Sequence, residues 1–244
     1  MRLSIRILAM AMVAMVGSAL AQPVSGPTHS GVFRSRDRVV ALPPGQWVEF
    51  SRHAWTGNPR GPGFSYEEVG LARVTSSGVD ALIHLRSVNL EEGAAWVARW
   101  GTNPACTRTD THFVQVRSRD DQDQECLLLN HVIGQPPANR GPVWADYAGL
   151  RRGREGQFPA TLIATTFHLA RITGGSTLTY YFGVERHGFA AQPASWVESP
   201  WHPSRADAPR LTIVQAYKGW MSANAPAVLR GLEGSRSVEL SAAP

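Results

Sequence analysis

Lysine is nearly absent from this chain of 244 residues, because 23 of its 24 basic side chains are arginines and only Lys218 is a lysine. The arginines are scattered from Arg34 to Arg236 without forming a run, so they do not build the basic stripe that binds a nucleic-acid backbone. The formal charge of +5 falls to +3 when Arg2 and Arg6 leave with a predicted leader. The composition therefore predicts a mildly basic protein that does not bind nucleic acid.

Long apolar runs are also missing, apart from one at the start of the chain. Two arginines, an apolar run over residues 7–16 and an Ala-Leu-Ala sequence ending at Ala21 follow one another, as they do in a signal peptide. We expect cleavage after Ala21, with a mature chain that begins at Gln22. No cysteine near this junction offers a lipid attachment point, and no transmembrane segment is predicted in the mature chain. The sequence therefore predicts a soluble protein of the periplasm or the external medium.

Cysteine is scarce, and the two that are present, Cys106 and Cys126, would face an oxidising compartment after export. Their spacing is not the C-x-x-C spacing of thiol-exchange catalysts, so we expect a structural disulfide. A bridge that closes a loop of this length stabilises a fold by about 3 kcal/mol in the chain-entropy description.

Metal-binding motifs are incomplete. Asp121, Asp123 and Glu125 have the alternating spacing with which calcium loops begin. However, Cys126 occupies the position that such a loop needs for glycine, and Val132 occupies that of the closing glutamate. We therefore expect a solvated acidic turn at this place.

Histidines could supply a metal site or a catalytic base, and three of the eight, His84, His131 and His168, lie on or beside predicted strands. None has a partner at a diagnostic spacing, there is no H-E-x-x-H sequence, and His187 and His202 fall in loops. The sequence thus predicts no bound metal and no cofactor. If a metal were bound, the three strand histidines would be the first ligands to consider.

The hydrophobic pattern predicts an α+β fold: a mainly antiparallel β-sheet with short connecting helices and a C-terminal helix packed on the sheet. Residues 22–38 have the composition of a flexible leader, and residues 39–244 are expected to form a single globular domain. Short helices are expected after Asn89 and over residues 142–152. The predicted strands comprise residues 45–50, 69–74, 81–88, 112–117, 126–133, 161–172 and 177–184.

The C-terminal helix is predicted to begin near Asp207 and to pack on the sheet through an apolar stripe that includes Tyr217 and Trp220. Proline lacks an amide hydrogen and its ring clashes with the preceding turn. We therefore expect Pro226 to break or kink this helix near Asn224.

Tryptophan is abundant, with eight residues, and exposed indoles in exported proteins can bind sugar rings or apolar groups. Trp196 and Trp201 lie in an irregular stretch and are the candidates for exposed aromatic contacts. Trp47, Trp144 and Trp220 fall on apolar faces of predicted elements, which indicates that they belong to the core.

No catalytic motif is visible, and residues 174–176 are not the G-x-S-x-G turn of a serine hydrolase. The sequence therefore favours an exported, non-catalytic protein that binds a partner or a small ligand. The alternatives are a periplasmic hydrolase whose site is assembled from distant residues, with a histidine as base, and a structural component of the envelope. A deep pocket joining a strand histidine to a carboxylate would favour the enzyme, whereas an open aromatic groove would favour binding.

Overall fold

The computed structural model describes residues 24–57, 63–90, 103–120, 123–134, 141–152, 154–192, 195–235 and 238–244, so the predicted signal peptide lies outside the described residues. Within these ranges the chain forms ten β-strands and two α-helices. The strands are β1 (Thr28–His29), β2 (Val32–Ser35), β3 (Arg38–Ala41), β4 (Trp47–Gly57), β5 (Phe64–Thr75), β6 (Gly78–Leu90), β7 (Phe113–Arg119), β8 (Gln124–Ile133), β9 (Thr161–Arg171) and β10 (Gly174–Gly183). The helices are α1 (Pro142–Arg151) and α2 (Ala208–Leu232).

Eight strands form one antiparallel sheet in the order β1-β4-β5-β6-β10-β9-β8-β7, and β2 and β3 form a separate two-stranded ribbon. The hairpin β9–β10, which is rich in β-branched and aromatic residues, lies near the middle of the sheet. Strand β10 also pairs with β6, so the chain inserts this hairpin beside a strand that is distant in sequence. The predicted α+β class, with a C-terminal helix on the sheet, is confirmed.

Helix α2 covers one face of the sheet with a large apolar core. Asp207 caps its first turn, where its Oδ1 accepts a hydrogen bond of 3.1 Å from the Arg210 amide, and Tyr217 and Trp220 are buried against the sheet. Of the predicted break or kink at Pro226, the break is wrong, because the helix continues to Leu232. The turns around the proline are buried, so packing against the sheet offsets the lost backbone hydrogen bond.

Helix α1 covers part of the opposite face, where a smaller cluster includes Trp144, Tyr147, Leu82 and Tyr181. The core positions predicted for Trp47, Trp144 and Trp220 are confirmed, since their exposed fractions are 0%, 7% and 5%. Beside helix α1, part of this face carries polar side chains.

One segment differs from the sequence-based expectation, and a second lies largely outside the described residues. Strands β1 and β2 lie within residues 22–38, where composition predicts a flexible leader, because Phe33 inserts into the core under α2. The helix predicted after Asn89 falls largely on residues that are not described. Its first residues, Asn89 and Leu90, instead end strand β6.

The predicted disulfide is confirmed, with Cys106 and Cys126 joined and their Cα atoms 5.8 Å apart. It ties the segment before β7 to strand β8. Neither helix in the described part of the chain has both the length and the apolar composition needed to cross a bilayer.

Candidate ligand site

Polar side chains form two rows across the middle of the sheet on the face that carries α1. In the first row Glu68, Arg86, Thr177 and His168 are successive cross-strand neighbours on β5, β6, β10 and β9. The second row, one step along the strands, contains His84, Thr179 and Thr166. Because side chains alternate along a strand, the intervening residues, such as Ile83 and Leu85, face the core under α2. The sheet is thus apolar on one face and locally polar on the other.

The polar rows border a half-open hollow of about 260 Å³, which we call the sheet cleft. Its aromatic wall is formed by Trp144, whose ring meets those of His84 and Tyr181 edge to face at centroid distances of 5.5 and 5.3 Å. The residues that line the cleft are His84, Arg86, Trp144, Thr177, Thr179 and Tyr181. Five of these come from two adjacent strands and one from α1, so the cleft rests on regular elements.

A buried carboxylate lies behind the cleft. Glu68 is 2% exposed, and its Oε1 accepts a hydrogen bond of 3.1 Å from the Tyr66 hydroxyl and lies 3.4 Å from His84 Nε2. The contact with His84 is longer than a well-formed hydrogen bond. Neither His84 Nε2 nor Glu68 Oε2 has a hydrogen-bond partner among the described residues, and both are buried. Buried polar atoms in proteins are normally satisfied, so these two mark an unusual site.

Burial and neighbouring charge set the ionisation of this pair. Burial lowers the pKa of His84, and Arg86 lowers it further, while the nearby carboxylate acts in the opposite direction. Burial opposes the charge on Glu68, yet contacts with His84 and Tyr66 leave the pKa of Glu68 below its ordinary value. Burial and the adjacent Glu68 raise the pKa of Tyr66 to about 12. At neutral pH the site therefore contains a carboxylate, a neutral imidazole and a neutral phenol.

The far side of the cleft is a network of neutral hydrogen-bonding groups. The Thr166 and Thr179 hydroxyls lie 2.9 Å apart, and His168 Nδ1 lies 3.0 Å from both Thr177 Oγ1 and Asn103 Nδ2. Burial, followed by the positive charge of Arg86, lowers the pKa of His168 to about 4. Among the described residues, this side of the cleft therefore offers hydroxyl and imidazole groups and no carboxylate.

A serine, a histidine and an aspartate meet at the edge of the same face but do not form a catalytic triad. Ser51 Oγ donates to Asp146 Oδ2 at 2.6 Å, and His53 Nε2 lies 2.7 Å from the same oxygen. In a triad the histidine stands between the hydroxyl and the carboxylate so that it can remove the hydroxyl proton. Here the aspartate stands between them, so the serine is not activated as a nucleophile.

The structure brings together two of the three strand histidines singled out from the sequence. His84 and His168 both lie on the cleft face, on either side of β10, whereas His131 points to the opposite face of the sheet. His131 stacks on Trp196 with centroids 5.2 Å apart, and its Nε2 donates to the Trp196 carbonyl at 3.2 Å. Within the described ranges, no three His, Cys, Asp or Glu residues are arranged to hold a metal ion.

Neither tryptophan predicted to be exposed is freely presented to solvent. Trp201 is 2% exposed, so its prediction is wrong: its ring packs edge to face on Phe189 at 4.9 Å and lies under the guanidinium of Arg210. Trp196 is half-buried by its stacking on His131. Among the tryptophans that the structure describes, the exposed one is instead Trp55, which is 42% exposed and stacks on Tyr66 with centroids 4.1 Å apart.

The cleft residues other than histidine were not identified from the sequence. Alternation within residues 81–88 already places His84 and Arg86 on the same side of β6, and this was the available signal. Thr177 and Thr179 have ordinary strand propensity, and Glu68 lies beside an apolar strand without a recognisable motif. Their convergence depends on the pairing of β6 with β10, which residue spacing does not reveal.

A larger hollow of about 350 Å³ lies at the turn between β5 and β6. It is bordered by the turn residues 75–78 and by Arg154 and Phe158, and its described lining contains no histidine or carboxylate. This hollow is formed by a hairpin turn and a neighbouring loop. The sheet cleft is therefore the stronger candidate site.

In comparisons with known proteins, no protein-family model, no curated protein and no solved structure matches this chain.

Proposed function

We propose that this is an exported protein that binds a small molecule in the sheet cleft. The proposal rests on a group of polar side chains on one face of the sheet. Elsewhere on this face, a helix packs against the sheet through apolar contacts. A face needed only for packing would bury apolar residues, as the opposite face does. A half-open hollow is lined by His84, Thr177 and Thr179, and a ligand bound there would complete the hydrogen bonds of these side chains.

Export is the second part of the proposal. It rests on the order of basic, apolar and small residues in the first 21 positions. The disulfide supports it, because disulfides persist in oxidising compartments outside the cytoplasm. Cleavage after Ala21 would release a mature chain that starts at Gln22.

The experiment is a thermal-shift screen of a small-molecule library against the mature wild-type protein and a variant with a filled cleft. Thr177→Tyr suits this purpose because Thr177 lines the cleft and is half-buried, so a larger side chain can occupy the hollow without entering the core. Thr75→Tyr is the matched control, since Thr75 is exposed and borders the other hollow.

Ligands of the cleft should stabilise the wild type and the Thr75→Tyr variant but not the Thr177→Tyr variant. Ligands whose effect survives Thr177→Tyr and disappears in Thr75→Tyr would contradict the proposal and assign binding to the hairpin hollow.

A second function, hydrolysis, is favoured by the contact between Glu68 and His84. If His84 Nε2–H is directed at the carboxylate, Nδ1 carries the lone pair that a general base needs, and burial keeps the ring neutral. In that reaction water would give a proton to His84 while its oxygen attacks an ester carbonyl carbon, and Arg86 would stabilise the resulting oxyanion. Collapse of the oxyanion would break the bond to the leaving alcohol, which would take the proton back from His84.

Hydrolysis of a chromogenic acetate ester by the wild type and by His84→Gln distinguishes this second function. If the cleft is catalytic, the wild type hydrolyses the ester faster than buffer alone. This rate should fall by about a hundredfold or more in His84→Gln and remain unchanged in Thr75→Tyr. A rate equal in all three proteins would exclude catalysis of this reaction at His84.

A further inference from the structure

The charge of the residues that line the cleft indicates the class of ligand more closely than their polarity does. Arg86 is the only formally charged side chain among the six described residues that line the hollow, and none of the six is a carboxylate. Arg86 is exposed, and its guanidinium contacts the Tyr66 hydroxyl and contributes to lowering the pKa of Glu68, but among the described residues it forms no close ion pair with a carboxylate. An arginine in a cleft without a paired carboxylate has donors left for an anion.

Glu68 is the acidic residue that could neutralise Arg86, because the two are cross-strand partners. Its carboxylate contacts Tyr66 and His84 and lies beside the start of α1, where Gly141 approaches it. The positive end of a helix dipole and a hydroxyl donor both stabilise a carboxylate in that position. Glu68 is thus held behind the lining, and the side chain that reaches the hollow is the cation.

The remaining lining groups fit an anion with a flat apolar part. Thr177 and Thr179 supply hydroxyl groups next to Arg86 on the neighbouring strand, and His84 is neutral. Trp144 and Tyr181 form an aromatic wall on the other side. One end of the cleft is therefore cationic and hydrogen-bonding, and the other is bordered by two largely buried aromatic rings.

We propose that the ligand of the sheet cleft is a small carboxylate, with its carboxyl group on Arg86 and its apolar part against Trp144 and Tyr181. This inference rests on the proposed binding function and specifies the chemical class of its ligand. The guanidinium can donate two parallel hydrogen bonds to a carboxylate, which a neutral amide of the same shape cannot accept equally well.

Matched acids and amides test this inference. Benzoate, phenylacetate and cyclohexanecarboxylate, and the primary amide of each, are titrated by ligand-detected NMR at pH 7 into the wild type, Arg86→Gln and Thr177→Tyr. Arg205→Gln serves as the matched control because Arg205 is exposed and does not line the cleft. We expect at least one acid to bind about tenfold or more tightly than its amide, and this preference to disappear in Arg86→Gln but not in Arg205→Gln.

The outcomes separate this inference from the proposed function. Acids and amides that bind equally, and that both lose binding in Thr177→Tyr, would overturn the carboxylate inference and leave the cleft as the ligand site. Binding of either class that is unchanged in Thr177→Tyr would overturn both. If no acid binds, the carboxylate inference is overturned, and the library screen alone then decides the binding function.

Discussion

At the scale of single residues, the burial of imidazole rings on both faces of the sheet links stability to pH. Burial lowers the pKa of His131 to about 4, against an ordinary value near 6.5, because a charged ring would lose its hydration. The native state therefore binds fewer protons than the unfolded state between these two values. The free energy of unfolding is therefore not reduced by His131 above pH 6.5, and it decreases as the pH falls from 6.5 towards 4.

We predict that the free energy of unfolding falls between pH 7 and pH 4, and that His131→Phe reduces this fall by an amount on the order of 3 kcal/mol. Phenylalanine retains a flat ring for stacking on Trp196 but cannot be protonated. Urea unfolding at several pH values measures the difference. The same fall in the variant and the wild type would show that His131 does not titrate as its burial requires.

A second residue-scale prediction concerns Gly141, at the start of α1. Its φ is +128°, and a Cβ atom there would lie 3.4 Å from Glu68 Oε2. Gly141→Ala should therefore destabilise the protein by roughly 1–3 kcal/mol, because an L side chain is strained in this conformation and crowds the buried carboxylate.

Gly149→Ala is the matched control, since Gly149 lies inside the same helix and a Cβ there would meet nothing within 4 Å. Alanine should stabilise the helix at that position by about 0.5–1 kcal/mol. Denaturant melts compare the two variants. Equal effects would show that the contact between the start of α1 and Glu68 does not constrain residue 141.

At the scale of elements, α2 is held on the sheet by aromatic contacts. Trp220 meets Tyr180 and Phe182 edge to face at 5.5 and 5.6 Å, and its Nε1 donates to the Ser241 carbonyl at 2.9 Å. Trp220→Ala should cost about 3–5 kcal/mol of unfolding free energy through loss of these contacts and the cavity left behind. Leu211→Ala, on the exposed side of the same helix, should change it by less than about 1 kcal/mol. Similar losses in the two variants would contradict this packing.

Hydrophobic periodicity predicted most elements because each depends on its own sequence. The hairpin β9–β10 and helix α1 follow from local patterns, and both are confirmed. The break at Pro226 was predicted from the local cost of proline, but the burial of the helix on both sides of the proline outweighed it. The cleft was not predicted, because it depends on β10 inserting beside β6.

At the scale of the whole molecule, the disulfide connects the segment before β7 to β8 near the far edge of the sheet. Replacing both Cys106 and Cys126 by serine should lower the unfolding free energy by about 3 kcal/mol, because the unfolded chain loses its crosslink. Thiol titration of denatured, unreduced mature protein should find no free thiol. Two free thiols in exported protein would contradict the bridge.

Export can be tested on the same material, by N-terminal sequencing of protein taken from the producing cell. A first residue of Gln22 would agree with cleavage after Ala21. An intact Met1 on soluble cytoplasmic protein would contradict export and remove the reason to expect an oxidising compartment.

The central claim is that the sheet cleft is the ligand site, and backbone amide NMR tests it most directly. A compound that stabilises the wild type is titrated into isotope-labelled mature protein, and shift changes are assigned to residues. We predict that the largest changes lie at residues 84–86 on β6 and 177–181 on β10. Changes confined to residues 75–78 at the β5–β6 turn, with none on β10, would contradict the claim.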